Sequence, residues 1–204
     1  MDATTIARVK ALLDISSSTH DTVLTTMVSA VSKRFESFLD RPLLAEARTE
    51  TYSIRPRQNK LFLRAYPVSA VTSVKIATDW DYAAATAVSS GDYHVTSDTG
   101  CVHFQFFPVT SYLGSNYEAA PDAIQVIYTA GFDTTTNNLI TNYPDIAMAA
   151  DLQVVAMWRR RDTPQGNSIS VGGGSISYEK PFDLIPDVVH ALAPHRRLRF
   201  AANG

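Results

Sequence analysis

Apolar residues recur every three or four positions at both ends of the chain and every second position in between, and no other feature constrains the fold as tightly. At the start, Ile6, Val9, Leu12 and Leu13 define a short amphipathic helix with Asp2 and Thr4 ahead of it as caps. After the break at Ser16-Ser17-Ser18-Thr19, Asp21 opens a second helix whose apolar positions are Val23, Leu24, Met27, Val28, Val31, Phe35, Phe38 and Leu39. Pro42 ends it, because a residue preceding proline is pushed out of helical geometry. From about Ala47 the period is two, with β-favouring runs at Glu50 to Ile54, Lys60 to Leu63, Val71 to Ala77, Tyr93 to Phe107 and Ala123 to Tyr128. The helical period returns after Pro144, where Ile146, Ala147, Ala150, Val154, Met157 and Trp158 form a stripe that stops at Arg159-Arg160-Arg161.

Beyond a polar loop, apolar and polar residues alternate on both sides of Gly172, Gly173 and Gly174. A four-residue loop from Gly172 to Ser175 places Ile169, Val171, Ile176 and Tyr178 on one face and predicts a hairpin over 168–178. A last short helix starts near Pro186, with Val188, Val189 and Leu192 as its contacts, and Pro194 limits it. The resulting order predicts an α+β fold, in which a helical core of two N-terminal helices and a long and a short C-terminal helix carries an inserted antiparallel β region and a β-hairpin. On this reading residues 1–204 form one domain, made of N-terminal helices at 1–46, a β insertion at 47–132 and C-terminal helices with the hairpin at 133–204.

Composition narrows the function classes. With 45% apolar residues the chain can bury a real core, and a net charge of −2 supplies no bulk attraction to nucleic acid or to an anionic membrane. A single cysteine, Cys101, excludes an internal disulfide and a cysteine-rich zinc module, and suits assembly in a reducing cytoplasm. Asp2, Arg8 and Lys10 interrupt the apolar start that a signal peptide needs, and no run of about 18 apolar residues is present to span a membrane.

Each motif that hints at chemistry has a plainer reading. Asp98-Thr99-Gly100 matches the triplet carrying the catalytic aspartate of aspartic proteases, yet it sits between two strand-like runs where those residues are ordinary turn formers. If that turn pairs Thr96 with Cys101, His94 faces His103 on the side of the cysteine, a conceivable transition-metal set without a fourth ligand. Tyr93, Val95, Val102 and Phe104 would then form the core face. The three glycines lack the lysine and hydroxyl residue of a phosphate-binding loop, so a hairpin tip that orders against a neighbouring subunit, or a flexible turn, remains. The arginines at 159–161 can complement a helix C-terminus, while Arg196, Arg197 and Arg199 read as a tail that contacts a partner. No catalytic residue, metal site or cofactor is expected.

The second half resembles the head-to-tail connector, or adaptor, family of tailed bacteriophages. The matching residues are Val126-Ile127-Tyr128-Thr129-Ala130-Gly131-Phe132, the helix with Pro144, Asp145, Ala149, Ala150 and Trp158 followed by arginines, the Ser-Ile-Ser at 175–177, and Leu184-Ile185-Pro186-Asp187-Val188-Val189 with Leu192 and Arg196-Arg197. Val9-Lys10-Ala11-Leu12-Leu13 and Phe35-Glu36-Ser37-Phe38-Leu39-Asp40-Arg41-Pro42-Leu43 resemble the helical start of the same family. The resemblance implies a structural virion protein of the neck, assembled in the host cytoplasm. It would form a homo-oligomeric ring, dodecameric by analogy, that binds the portal protein above and a tail or head-closure protein below, with DNA only in transit. Its contact elements would be Gly172, Gly173, Gly174, Ile176 and Tyr178 of the hairpin and Arg196, Arg197 and Arg199 of the C-terminal segment. The alternatives are another neck or tail-completion protein and a small aspartic-type protease acting through Asp98.

Overall fold

A computed structural model describes residues 2–54, 58–77, 79–106, 120–161, 168–171, 174–177 and 183–197. It is α+β, and the chain divides into two compact units: Met1–Leu43 with Asp133–Gly204, and Leu44–Phe132.

The first unit is helical. It contains α1 (Ile6–Leu12), α2 (Asp21–Leu39), α3 (Thr136–Asn142), α4 (Pro144–Arg160) and α5 (Pro186–Leu192). On α2 the buried residues Leu24, Val28, Val31, Ser32, Phe35 and Leu39 follow the spacing of one helix face. On α4 the buried Ala147, Ala149 and Ala150 beside Ile146 and Val154 allow neighbouring backbones to approach closely, and α4 packs against each of the other four helices. Asp40 ends α2 in the left-handed conformation, which an aspartate tolerates better than most residues. Helix α3 has no counterpart in the periodicity: its residues are mostly polar, Leu139 is its one buried side chain, and it is started by the Thr135 side chain accepting from the Asn138 N–H at 3.2 Å.

Three polar pairings lock this unit. Asp151, buried on α4, accepts from the Thr4 hydroxyl through Oδ1 at 2.5 Å and from Arg8 Nη2 through Oδ2 at 2.7 Å. The Ala3 N–H reaches the buried Ser32 hydroxyl on α2 at 2.8 Å. The amide of Gln153 accepts from the Ile185 N–H at 3.0 Å and donates to the Asp183 carbonyl at 3.1 Å, and so satisfies the backbone that leads into α5.

The second unit is all β. One sheet has the order β1-β6-β3, built from β1 (Glu46–Ile54), β3 (Val68–Ile76) and β6 (Ala120–Ala130); the other has the order β2-β5-β4, built from β2 (Lys60–Phe62), β4 (Tyr93–Thr96) and β5 (Cys101–Phe104). All pairings are antiparallel, and buried residues from both sheets, among them Leu61, Val74, Val102, Phe104, Ile124, Val126 and Tyr128, form one cluster. Glu50 on β1 points to the side of Tyr128 and accepts from the phenol of Tyr52 and, at 2.8 Å, from that of Tyr128. The Tyr128 oxygen in turn accepts from the Ala65 N–H at 3.1 Å. Burial first, then the carboxylate, pushes the Tyr52 phenol far above its ordinary range and that of Tyr128 up to about 12. Both therefore stay neutral donors. Gly131 closes β6 where a Cβ would stand 2.4 Å from Ala45 N and from Leu44 C, so only glycine fits.

Strands β7 (Ser168–Val171) and β8 (Gly174–Ser177) form the hairpin with Ile169 opposite Ile176 and Val171 opposite Gly174. The connection thus spans two residues rather than the four expected. The expected loop paired Val171 with Ile176; the observed register is shifted by two residues, which leaves the alternation of faces intact because the side-chain period is also two.

Candidate partner-contact surface

The C-terminal segment lies along the end of α2. The Arg197 N–H donates to the Leu39 carbonyl at 2.8 Å, which satisfies a carbonyl that the helix end leaves open, and its guanidinium lies 3.7 Å from Asp40. Arg41 Nη1 donates to the His195 carbonyl at 2.9 Å. The Arg196 guanidinium stands 5.3 Å from the Phe38 ring centre, over its face. His195 itself reaches Asp145, in the first turn of α4, with Nε2 and Oδ2 2.5 Å apart. Burial raises the Asp145 pKa, but the His195 hydrogen bond and the Ile146 backbone N–H outweigh it, and the carboxyl is held below its ordinary value.

Beside this anchor runs a groove of about 450 Å³ lined by Lys33, Arg34, Ser37, Phe38 and Leu184. Its floor is apolar and its rim cationic. Lys33 pairs with Glu36 at 2.7 Å and Arg34 with Asp183 at 3.2 Å, so the cations are held in place. At the other end of α4, Arg161 lies over the Trp158 ring at 3.5 Å and His20 meets the same ring edge-on at 5.2 Å.

Of the contact residues expected from sequence, Arg196 and Arg197 are thus brought together on α2, while Gly174 and Ile176 lie in β8. Gly172, Gly173, Tyr178 and Arg199 lie outside the described residues. Arg197 is bound within the chain at both its backbone and its side chain, whereas the Arg196 side chain is exposed.

The chemical candidates resolve differently. Thr96 does pair with Cys101 and His94 with His103, and Tyr93, Val95, Val102 and Phe104 face the core side as expected. Lys60 completes a row with the two histidines across three strands. Cys101, however, is buried, and burial outweighs the nearby Lys60 charge in pushing its thiol upward, which disfavours the thiolate a metal needs. Among the described residues no group of three or more His, Cys, Asp or Glu could hold a metal ion. Asp98-Thr99-Gly100 is a tight turn: Gly100 adopts φ +63° and donates to the Thr96 carbonyl at 2.9 Å, and Asp98 is exposed. No described helix is long and apolar enough to cross a membrane.

Sequence reasoning missed the groove and the His195 to Asp145 link. The groove is made by Lys33, Arg34, Ser37 and Phe38, outside the buried stripe of α2, and by Leu184 from far along the chain.

A family model described as head completion protein matches residues 2–198. No curated protein matches the chain. Among solved structures, the fold is similar to a chain in the neck of an empty gene transfer agent particle computed with sixfold symmetry, at TM-score 0.63 and 14% identity over 98% of this chain and 93% of that one. It is also similar to a chain in the neck of the native particle computed with twelvefold symmetry, at TM-score 0.57 and 14% identity over 89% and 85%. A chain of the native gene transfer agent virion matches at TM-score 0.55 and 17% identity over 93% and 84%. At these identities the likeness is one of fold.

Proposed function

The chain belongs to the head completion protein family, and on that premise we propose that it is a structural subunit of the phage neck that joins head to tail as a homo-oligomeric ring. The observation that carries this reading is the family match over nearly the whole chain. Its support in the fold is the likeness, over most of the chain, to chains in particle necks computed with sixfold and twelvefold symmetry. A twelve-membered ring would present one face to the portal protein and the other to a tail or head-closure protein, with DNA passing through its lumen.

Such a role requires binding surfaces and no reacting groups. A net charge of −2 suits a lumen that must release DNA, because each added phosphate contact increases retention. The contact elements are the hairpin with Gly172, Gly173, Gly174, Ile176 and Tyr178, and the C-terminal Arg196, Arg197 and Arg199. Arg196 is the strongest of these, since its cation is displayed over Phe38 from a segment already anchored by Arg197 and His195.

The test is the mass of the purified protein by light scattering, alone and mixed with its portal. A ring that forms on the portal, even from a free monomer, is expected; a persistent monomer that leaves the portal bare would overturn the reading. Deleting Gly172 to Gly174 is expected to leave the monomer folded and to impair assembly.

A further inference from the structure

Trp80 is the most exposed large hydrophobic side chain of the described residues, at 61%. It is not loosely held. Its indole N–H donates to the Pro121 carbonyl at 3.3 Å, and the neighbouring Tyr82 phenol donates to the Asp122 carbonyl. Trp80 and Asp122 both adopt left-handed backbone, φ +60° and +46°, which for a residue as bulky as tryptophan is rare and persists only where the surroundings enforce it. The exposed Asp79 and Asp81 flank Trp80 in the chain and the exposed Asp122 follows its acceptor Pro121, while Lys75 is held against the Tyr82 carbonyl at 2.7 Å. The result is a fixed aromatic knob with an acidic rim.

The groove on α2 is its complement in shape class and in charge: an apolar floor of Phe38 and Leu184, Lys33 and Arg34 paired within the chain to Glu36 and Asp183, and the exposed cation of Arg196 over the Phe38 ring, which leaves the cations in excess. At about 450 Å³ it has room for an indole. We propose that Trp80 of one copy inserts into the Phe38 groove of the next copy, and that this knob-in-groove contact is the repeating joint of the ring. The inference rests on the ring reading above and names the surfaces that build it. A closed ring needs two different, mutually complementary patches on every copy, and a knob on one unit with a socket on the other meets that requirement. Tryptophan surrounded by a polar rim and received beside arginine is also the composition in which interface energy concentrates. The partner is therefore a second copy of this chain.

Two experiments decide it, both on the full chain with its portal. Wild-type protein must first form portal-bound rings; if it does not, the ring reading itself fails. Given wild-type rings, Trp80→Ala is expected to raise the concentration needed for assembly by about 30-fold or more, the scale of a lost interface anchor. Ser37→Trp, which fills the groove from an exposed position, should do the same, and both variants should keep the wild-type circular dichroism and melting temperature. Rings formed by either variant at the wild-type concentration would overturn the proposal. Independently, a chain carrying Asp81→Cys and Ser37→Cys is expected to give a ladder of covalent multimers on oxidation of assembled rings, and chains carrying one substitution are not. Intact rings without a ladder, or a cross-link confined to a single chain, would overturn it, and capture of Trp80 by the portal instead would do so as well.

Discussion

Replacing Arg8 by methionine would strand the Asp151 carboxylate in the core of the helical unit. The two partners are unequally placed, with Asp151 3% exposed and Arg8 42% exposed. Removing Arg8 leaves a buried anion whose remaining side-chain partner among the described residues is the Thr4 hydroxyl. That costs about 3 kcal/mol, the lower end of the range for a broken buried pair, because the Thr4 bond survives and Arg8 was already half in water. Removing the carboxylate instead, by Asp151→Leu, lets Arg8 turn to solvent and leaves the Thr4 hydroxyl as the one buried group without its acceptor, at about 1–3 kcal/mol. The double substitution should cost no more than Asp151→Leu alone, since no buried charge is left. A coupling of at least about 3 kcal/mol, the whole cost of Arg8→Met, therefore separates it from the sum of the singles. Urea unfolding can be followed by Trp158 fluorescence in a Trp80→Phe background, so that the signal comes from the helical unit. With a slope of about 1–3 kcal/mol/M, Arg8→Met should lower the midpoint by about 1–3 M. A loss under about 1 kcal/mol for Arg8→Met, or a double variant as unstable as the summed singles, would refute the assignment of Asp151 as a buried and dependent charge.

Gly131→Ala should destabilise the β unit by about 3 kcal/mol, because a Cβ 2.4 Å from Ala45 N must displace backbone rather than a side chain; a melting temperature within a degree of wild type would contradict this. Gln153→Ala should remove about 1–3 kcal/mol by leaving the Ile185 N–H and Asp183 carbonyl without their partner, and hydrogen exchange at Ile185 should quicken selectively. Asp145, whose folded pKa is depressed, contributes stability that is present above the ordinary carboxyl value of about 3.9 and lost as pH falls through the lower folded value. Asp145→Asn should therefore flatten the acid limb of stability against pH, and parallel wild-type and variant curves between about pH 5 and 2 would count against the His195 link.

The resemblance to phage connectors and the α+β order were both legible in the sequence, but for different reasons. Helices α2 and α4 announce themselves through long apolar stripes with an acidic first turn and a proline at one boundary, and the register of β4 with β5 is the one obtained by fitting a turn to Ser97 through Gly100. Helix α3 was invisible because one buried leucine makes no stripe, and the hairpin at 168–178 was placed but misregistered because a two-residue slip matches the two-residue period of a strand and so leaves the sequence alternation unchanged. The β region ran together in sequence as one series of short strands. That it forms two separate sheets, with β6 central in one and β5 in the other, depends on which edges meet and leaves no local trace.

What the sequence determined by itself is what periodicity and local chemistry carry: which strongly patterned segments are helix or strand, which face of each is apolar, and where proline stops them. Only the tertiary structure decided the pairings over long separations: Asp151 with Thr4 and Arg8, Gln153 with the backbone before α5, Arg197 on the end of α2, and a groove whose fifth wall, Leu184, comes from far along the chain. The physical reason is that a buried polar group must find a partner wherever packing happens to bring one. Its sequence position states the need for a partner and is silent about which residue will meet it.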